Sequence, residues 1–284
     1  MNQNRLKNHQ KTAVLLSLFL ISLSPLLLCP ERLGAGNPAA QTPTSSDPGQ
    51  TQILEEAKSK LQAGVNTWNA ASLESARNAF LSLLLKSPAP NGYLLYYVAL
   101  SDYRLASCHL SAGNNAEGER YVSEGQQYAA KAAEANSSFG ESHALYAFFL
   151  GLEIAFHPER AMTLGMKSFE WFAKAMEIGA DNPRINLLKG IYQLYVPEAY
   201  GGGPASALEF LEKSAALFET ENVRDPLKPS WGKEEAYTYL GRIYGKKKDY
   251  DKAKSFLTKA LAVNPDFGMA QAELQNLSKS EKEK

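Results

Sequence analysis

The sequence has few cysteines, few histidines and no excess of charge of either sign. Its 284 residues include two cysteines and four histidines, and 30 basic residues balance 30 acidic ones. Two cysteines cannot form a disulfide scaffold. A neutral chain also lacks the concentration of lysine and arginine that neutralises phosphates, so we expect no nucleic-acid partner.

Motifs that carry chemistry are missing as well. The sequence contains no His-Glu-x-x-His, no Gly-x-Ser-x-Gly elbow, no dinucleotide fingerprint and no calcium loop. Cys108 lies in an apolar helical pattern, where a buried free thiol is expected rather than a nucleophile. We therefore predict a protein that is not an enzyme, with no catalytic residue, no cofactor and no metal site.

The N-terminus has the pattern of an export leader. Three basic residues precede an apolar run, 12–28, and small residues follow at 34–36. The run has 17 residues and contains Pro25, which makes it short for a membrane span of about 20 residues. We predict a signal peptide over 1–36 and a location in the periplasm or cell envelope.

Cys29 leaves an alternative open at this leader. A lipoprotein carries its acylated cysteine directly after the apolar run, as Cys29 does, but Leu28 is bulky for that signal and Pro30 follows. Membrane contact is thus expected only through an N-terminal lipid or an uncleaved anchor.

Helical periodicity dominates the chain after the leader. Residues 37–50 are rich in Pro, Ser, Thr and Gln and predict a flexible linker. Apolar residues at helical spacing then run through 51–280, and 281–284 form a charged tail. No stretch alternates with a period of two, so the fold class is all-α.

Residues 234–267 contain a repeat unit. Gly241, Ala253 and Ala260 are small residues that let two antiparallel helices approach, and Pro265 ends the unit. The spacing resembles the tetratricopeptide repeat (TPR), whose period is about 34 residues. Weaker matches recur upstream, and 266–280 form an amphipathic helix. The resemblance implies a right-handed α-solenoid of about five TPR-like helical hairpins with a C-terminal capping helix.

Residues 181–231 carry features beyond a plain repeat. They include Asn182-Pro183-Arg184, the loop Pro197–Gly203 with its three glycines, and Pro229-Ser230-Trp231-Gly232. These motifs resemble those of a group of exported bacterial TPR proteins. The glycine loop also looks like that of the T component of tripartite periplasmic transporters. Neither resemblance implies a catalytic residue.

The three glycines allow three interpretations. A glycine-rich loop that opens a helix can cradle phosphate, but a nucleotide P-loop needs Lys-Ser/Thr where Pro204-Ala205 stands. Structurally, glycines permit backbone angles closed to other residues, and Tyr200 would then fold under the loop. A third possibility is a rigid loop at which a partner docks.

These patterns predict a non-catalytic interaction or scaffolding module that binds a protein or peptide in its concave groove. The alternative is an accessory component of a solute transport system. The candidate partner-binding residues come from the glycine loop, its neighbours and the exposed register positions of the first helix in 234–267: Arg184, Tyr200, Gly201, Gly202, Trp231, Glu235, Thr238, Arg242 and Lys246.

Overall fold

Five helical hairpins followed by a single helix make up the described part of the chain. The computed structural model describes residues 48–282. The predicted leader, Cys29 and nearly all of the predicted linker lie outside these residues. The helices are α1 Pro48–Thr67, α2 Ala70–Lys86, α3 Gly92–Ser111, α4 Asn115–Ala135, α5 Gly140–Glu153, α6 Ala161–Gly179, α7 Pro183–Tyr195, α8 Pro204–Thr220, α9 Lys233–Lys246, α10 Tyr250–Val263 and α11 Gly268–Lys282. No strand occurs in this range, and the prediction of an all-α TPR-like solenoid with a terminal helix is confirmed.

In several hairpins, a glycine of the first helix lies directly against a leucine of the second. A Cβ added at Gly241 of α9 would lie 2.6 Å from Leu257 Cγ of α10, so only glycine fits at that crossing. Equivalent contacts occur between Gly64 and a leucine of α2 and between Gly190 and a leucine of α8. The alanines that follow each glycine on the second helix are fully buried: Ala76, Ala207 and Ala253.

Side-chain caps set where the second helices begin. The Asp249 carboxylate accepts from the Lys252 amide at 3.3 Å and caps α10. Asn69 caps α2 in the same way at 2.9 Å. Cys108 is a buried free thiol, also as predicted, and its Sγ lies 3.1 Å from the Trp68 carbonyl oxygen.

The first helix of the solenoid reaches the last. Helix α1 contacts α11, and Asn264, which follows α10, donates from its side-chain amide to Asn66 Oδ1 of α1 at 2.8 Å. A Cβ at Gly268 would lie 2.5 Å from the Asn66 carbonyl oxygen. We call the region between α1, α3, α7 and α9 the inner channel.

Candidate functional site

The connection between α8 and α9 lies against the inner channel. We call residues 221–232 the strap. It has no regular secondary structure, and its 12 residues exceed the roughly 2–8 that usually join helices in a bundle. The strap extends to side chains of α1 and α3, far from it in sequence.

Two side chains hold the main chain of the strap. Lys58 Nζ of α1 donates to the Pro226 carbonyl at 3.0 Å and lies 3.4 Å from the Lys228 carbonyl. The Tyr97 hydroxyl of α3 donates to the same Lys228 carbonyl at 2.9 Å. Tyr97 is itself fixed, because its ring is buried and stacks on Phe80 at a centroid distance of 4.9 Å.

Trp231 anchors the C-terminal end of the strap. Its indole Nε1 donates to the Tyr96 hydroxyl at 3.1 Å, and its ring faces the Arg104 guanidinium at 4.8 Å. Arg104 is held in turn by a bidentate pair with Glu235 of α9, with N–O distances of 2.8 and 2.6 Å. Both charged side chains are almost completely buried, so α3 and α9 are joined directly across the channel.

A second bidentate pair fixes the N-terminal end. Arg184 of α7 donates to both carboxylate oxygens of Glu221 at 2.6 and 2.9 Å. The guanidinium also lies 5.3 Å from the Phe218 ring centroid and 4.0 Å from Glu141. The strap is therefore anchored at both ends, by Arg184 and by the Trp231 pocket.

A small polar cavity remains beside the strap. Its volume is about 260 Å³, and it lies between α1, α3 and the end of the strap. Burial lowers the pKa of the Lys58 ammonium below its ordinary value, and the nearby Glu55 carboxylate opposes that shift. The cavity is lined by Glu55, Lys58, Ser59, Leu61, Gln62, Val65, Tyr97, Leu100, Arg104, Ser230 and Trp231.

Of the predicted partner-binding residues, several lie inside the fold. Thr238 is completely buried, and its hydroxyl donates to the Glu234 carbonyl at 2.7 Å. Glu235 and Arg184 are buried in the two bidentate pairs. The register assignment expected Glu235 and Thr238 to face an open groove. They are covered because the strap and the opposite helices close the channel over them.

Two register positions of α9 remain at the surface. Arg242 is partly exposed and pairs with Glu273 of α11 at 2.6 Å, while Lys246 is exposed. The predicted partner-binding residues therefore do not form one surface. Trp231 and Glu235 lie at the channel, whereas Lys246 is exposed at the end of α9.

The glycine loop does not form a phosphate cradle. Its three glycine amides are already engaged, since Gly201, Gly202 and Gly203 donate to carbonyls of Glu198, Pro197 and Gln193. Gly201 and Gly203 have φ values of 81° and 91°, which explains the need for glycine. Tyr200 was expected to fold under the loop, but 75% of it is exposed, and the close contacts with the loop glycines are made by Val196 and by the Glu198 side chain.

Sequence reasoning missed four side chains of the candidate site: Lys58, Gln62, Tyr97 and Arg104. Gln62 donates to Glu234 at 3.0 Å, so this residue also connects α1 to α9. The sequence signal that could have revealed them is Arg104, a charged residue within the apolar run of α3, where an unpaired charge is not tolerated.

Among the described residues, no cluster of His, Cys, Asp and Glu is arranged to hold a metal ion. In the same range no helix is long and apolar enough to cross a membrane.

Repeated hairpins, their shared glycine–leucine contact and the terminal helix define a TPR solenoid. Residues 234–267 match the family model of the tetratricopeptide repeat. A search of curated protein sequences finds no relative.

Two solved structures are similar to this chain. The HusA haemophore from Porphyromonas gingivalis has 25% sequence identity and a TM-score of 0.56, over 68% of this chain and 94% of that one. A thermophilic TPR protein from Thermus thermophilus has 16% identity and a TM-score of 0.50, over 78% and 98% of the two chains. The second likeness concerns the fold alone.

Proposed function

We propose that the protein is a non-catalytic interaction scaffold of the bacterial periplasm or envelope, which binds a non-helical segment of a partner protein in its inner channel. The observation that carries this proposal is the strap. Lys58 and Tyr97 already hold main-chain carbonyls of a non-helical stretch of polypeptide, and a pocket between Tyr96 and Arg104 holds its Trp231. TPR folds generally serve protein interaction, and these contacts are the kind that recognise a peptide.

Export is the part of this proposal that rests on the leader pattern. A basic start, the apolar run 12–28 and small residues at 34–36 are what a signal peptidase requires. Attachment through Cys29 would keep the solenoid at the membrane surface, and cleavage after residue 36 would release it. Mass spectrometry of the mature N-terminus distinguishes these forms.

Crosslinking mass spectrometry on native envelopes tests the interaction. Lys228 and Lys233 lie in or beside the strap, whereas Lys174 lies on α6 in an exposed pair with Glu177. We expect reproducible crosslinks from the strap lysines to one protein, with few from Lys174. The proposal fails if no partner is reproducible, or if the crosslinks come from Lys174 and not from the strap.

Haem carriage is a second candidate, favoured by the likeness to a haemophore over nearly the whole of that chain. The aromatic side chains of Tyr97 and Trp231 line the cavity, and aromatic side chains commonly line sites for planar ligands. At about 260 Å³ the cavity is just below the roughly 300–1,000 Å³ of small-molecule sites, so haem would require the strap to move. Titration of haem into the purified chain should give a saturable Soret shift that Trp231→Ala weakens. A linear, non-saturable response would eliminate this candidate.

A further inference from the structure

The strap differs from the other connections in how it is stabilised. Its backbone forms a turn in which the Lys228 amide donates to the Asp225 carbonyl at 3.1 Å. Its other contacts to the channel come from side chains of α1, α3 and α7, which lie elsewhere in the sequence. The strap is thus bound to the solenoid much as a separate peptide would be.

Because the site contacts the main chain of the strap, another peptide can bind it through the same contacts. The Lys58 and Tyr97 donors contact carbonyl oxygens, which every peptide carries, so they do not depend on the strap's own side chains. Selectivity comes instead from the pocket between Tyr96 and Arg104 that holds the Trp231 ring. Backbone contacts that give affinity, with a side-chain pocket that gives specificity, are the general arrangement of peptide sites.

Lys58 forms its ion pair with Glu55 of its own helix and not with a carboxylate of the strap. The Lys58 ammonium contacts two carbonyl dipoles, and its nearest carboxylate, Glu55, lies 3.7 Å away and is half exposed. The cavity beside Lys58 has room for a further polar group. A segment with a carboxylate at this point would form a charge-assisted hydrogen bond that the strap cannot form.

We propose that the strap is an intramolecular occupant of a peptide site, and that the partner is a non-helical segment with an aromatic side chain for the Trp231 pocket and an acidic side chain for Lys58. This inference rests on the proposed function and names the chemistry of its partner. The partner gains access by displacing the strap.

Tethering determines how hard displacement is. A segment joined to its site by a short linker competes at an effective concentration of about millimolar. The apparent affinity for a partner falls by the fraction of molecules in which the site is open, so a site that is open in about 1% of molecules binds roughly a hundredfold more weakly. Removing the strap's anchor should therefore strengthen binding in trans.

The strap sequence itself supplies the probe. A fluorescent peptide ENVRDPLKPSWG, residues 221–232, is titrated against the full mature chain and its Trp231→Ala variant, with anisotropy as the readout. We expect the variant to bind the peptide at least tenfold more tightly than the unmodified chain, because its pocket is empty. A peptide with alanine in place of tryptophan should lose at least tenfold. Equal affinity for the two chains, or no binding to either, overturns the inference.

A second peptide tests the acidic preference. Changing Lys228→Glu in the peptide places a carboxylate near Lys58, and the affinity should rise severalfold for the Trp231→Ala chain. The gain should vanish when that chain also carries Lys58→Met. An unchanged affinity, or a gain that persists without Lys58, refutes the acidic part of the proposal.

If the Trp231→Ala variant does not fold, a milder variant still tests the inference. Trp231→Phe keeps an aromatic ring in the pocket and removes only the strap's indole N–H that donates to the Tyr96 hydroxyl, while the added peptide retains its tryptophan. It should raise peptide affinity severalfold with an unchanged circular dichroism spectrum, and no rise counts against displacement. If envelope crosslinking finds a channel partner while the strap peptide binds neither variant, this inference fails alone. If no partner is found, the proposed function fails.

Discussion

Breaking the Arg104–Glu235 pair should destabilise the solenoid more than any change to a surface ion pair. The two side chains are 4% and 3% exposed, and they form two parallel hydrogen bonds between helices that are far apart in sequence. Glu235→Gln removes the negative charge and leaves the Arg104 guanidinium buried without a counter-ion. Arg104→Met does the converse and also removes the cation that faces Trp231.

The expected magnitude follows from the burial. Removing one partner of a buried pair costs about 3–5 kcal/mol, because an uncompensated charge remains out of water. In a domain of this size each kcal/mol shifts Tm by roughly 2–4 °C, so either single variant should lower Tm by about 6–20 °C. The double variant removes both charges and should recover at least half of that loss, since apolar replacements of a buried pair are close to neutral.

Thermal unfolding followed by circular dichroism measures these differences, and Lys174→Ala is the matched control. Lys174 and Glu177 are 53% and 71% exposed, so that variant should change the free energy of unfolding by less than about 0.5 kcal/mol. A drop of less than about 2 °C for both single variants would show that the Arg104 pair is not a structural contact across the channel. A double variant worse than either single one would refute the charge argument itself.

Four further substitutions test local features. Gly202→Ala places a Cβ 2.2 Å from the Val196 carbonyl oxygen and should cost more than about 1 kcal/mol in urea unfolding, whereas Gly165→Ala, in open space on α6, should stabilise by roughly 0.5–1 kcal/mol. Asp249→Ala removes the cap of α10 and should cost about 0.5–2 kcal/mol by the same assay. Burial raises the pKa of Asp102 to about 7, so its stabilising contribution is complete below about pH 4 and lost as pH rises to 7. Asp102→Asn should therefore flatten the decline of Tm over that window, and unchanged slopes would contradict this.

Local patterns made the hairpins predictable. Glycine at 241, alanine at 253 and proline at 265 lie within one unit of about 34 residues, and their packing partners lie in the same unit. The cap at Asp249 was predictable for the same reason. Because each TPR hairpin contacts mainly its neighbours, a correct account of one unit extends to the others.

The channel could not be predicted in this way. Arg104 and Glu235 are 131 positions apart, as are Tyr97 and Lys228, and no periodicity relates them. The register argument treated the groove as open, so it expected Glu235 and Thr238 to face solvent. Whether α1 meets α11 depends on the small rotation between each hairpin and the next, added over five hairpins. No sequence motif records that total.

The polarity of the channel bears on whether it can open. A buried ion pair stabilises a fold little more than well-packed apolar side chains would, so stability alone does not explain Arg104, Glu235, Gln62 and Glu234 at this interface. Charged and amide groups regain hydrogen bonds to water when they separate, whereas an apolar seam would expose hydrocarbon. When the strap moves aside, water reaches these polar groups and not a hydrocarbon surface, which lowers the penalty for displacing the strap. This is the property that a site occupied by its own chain needs if a partner is to enter it.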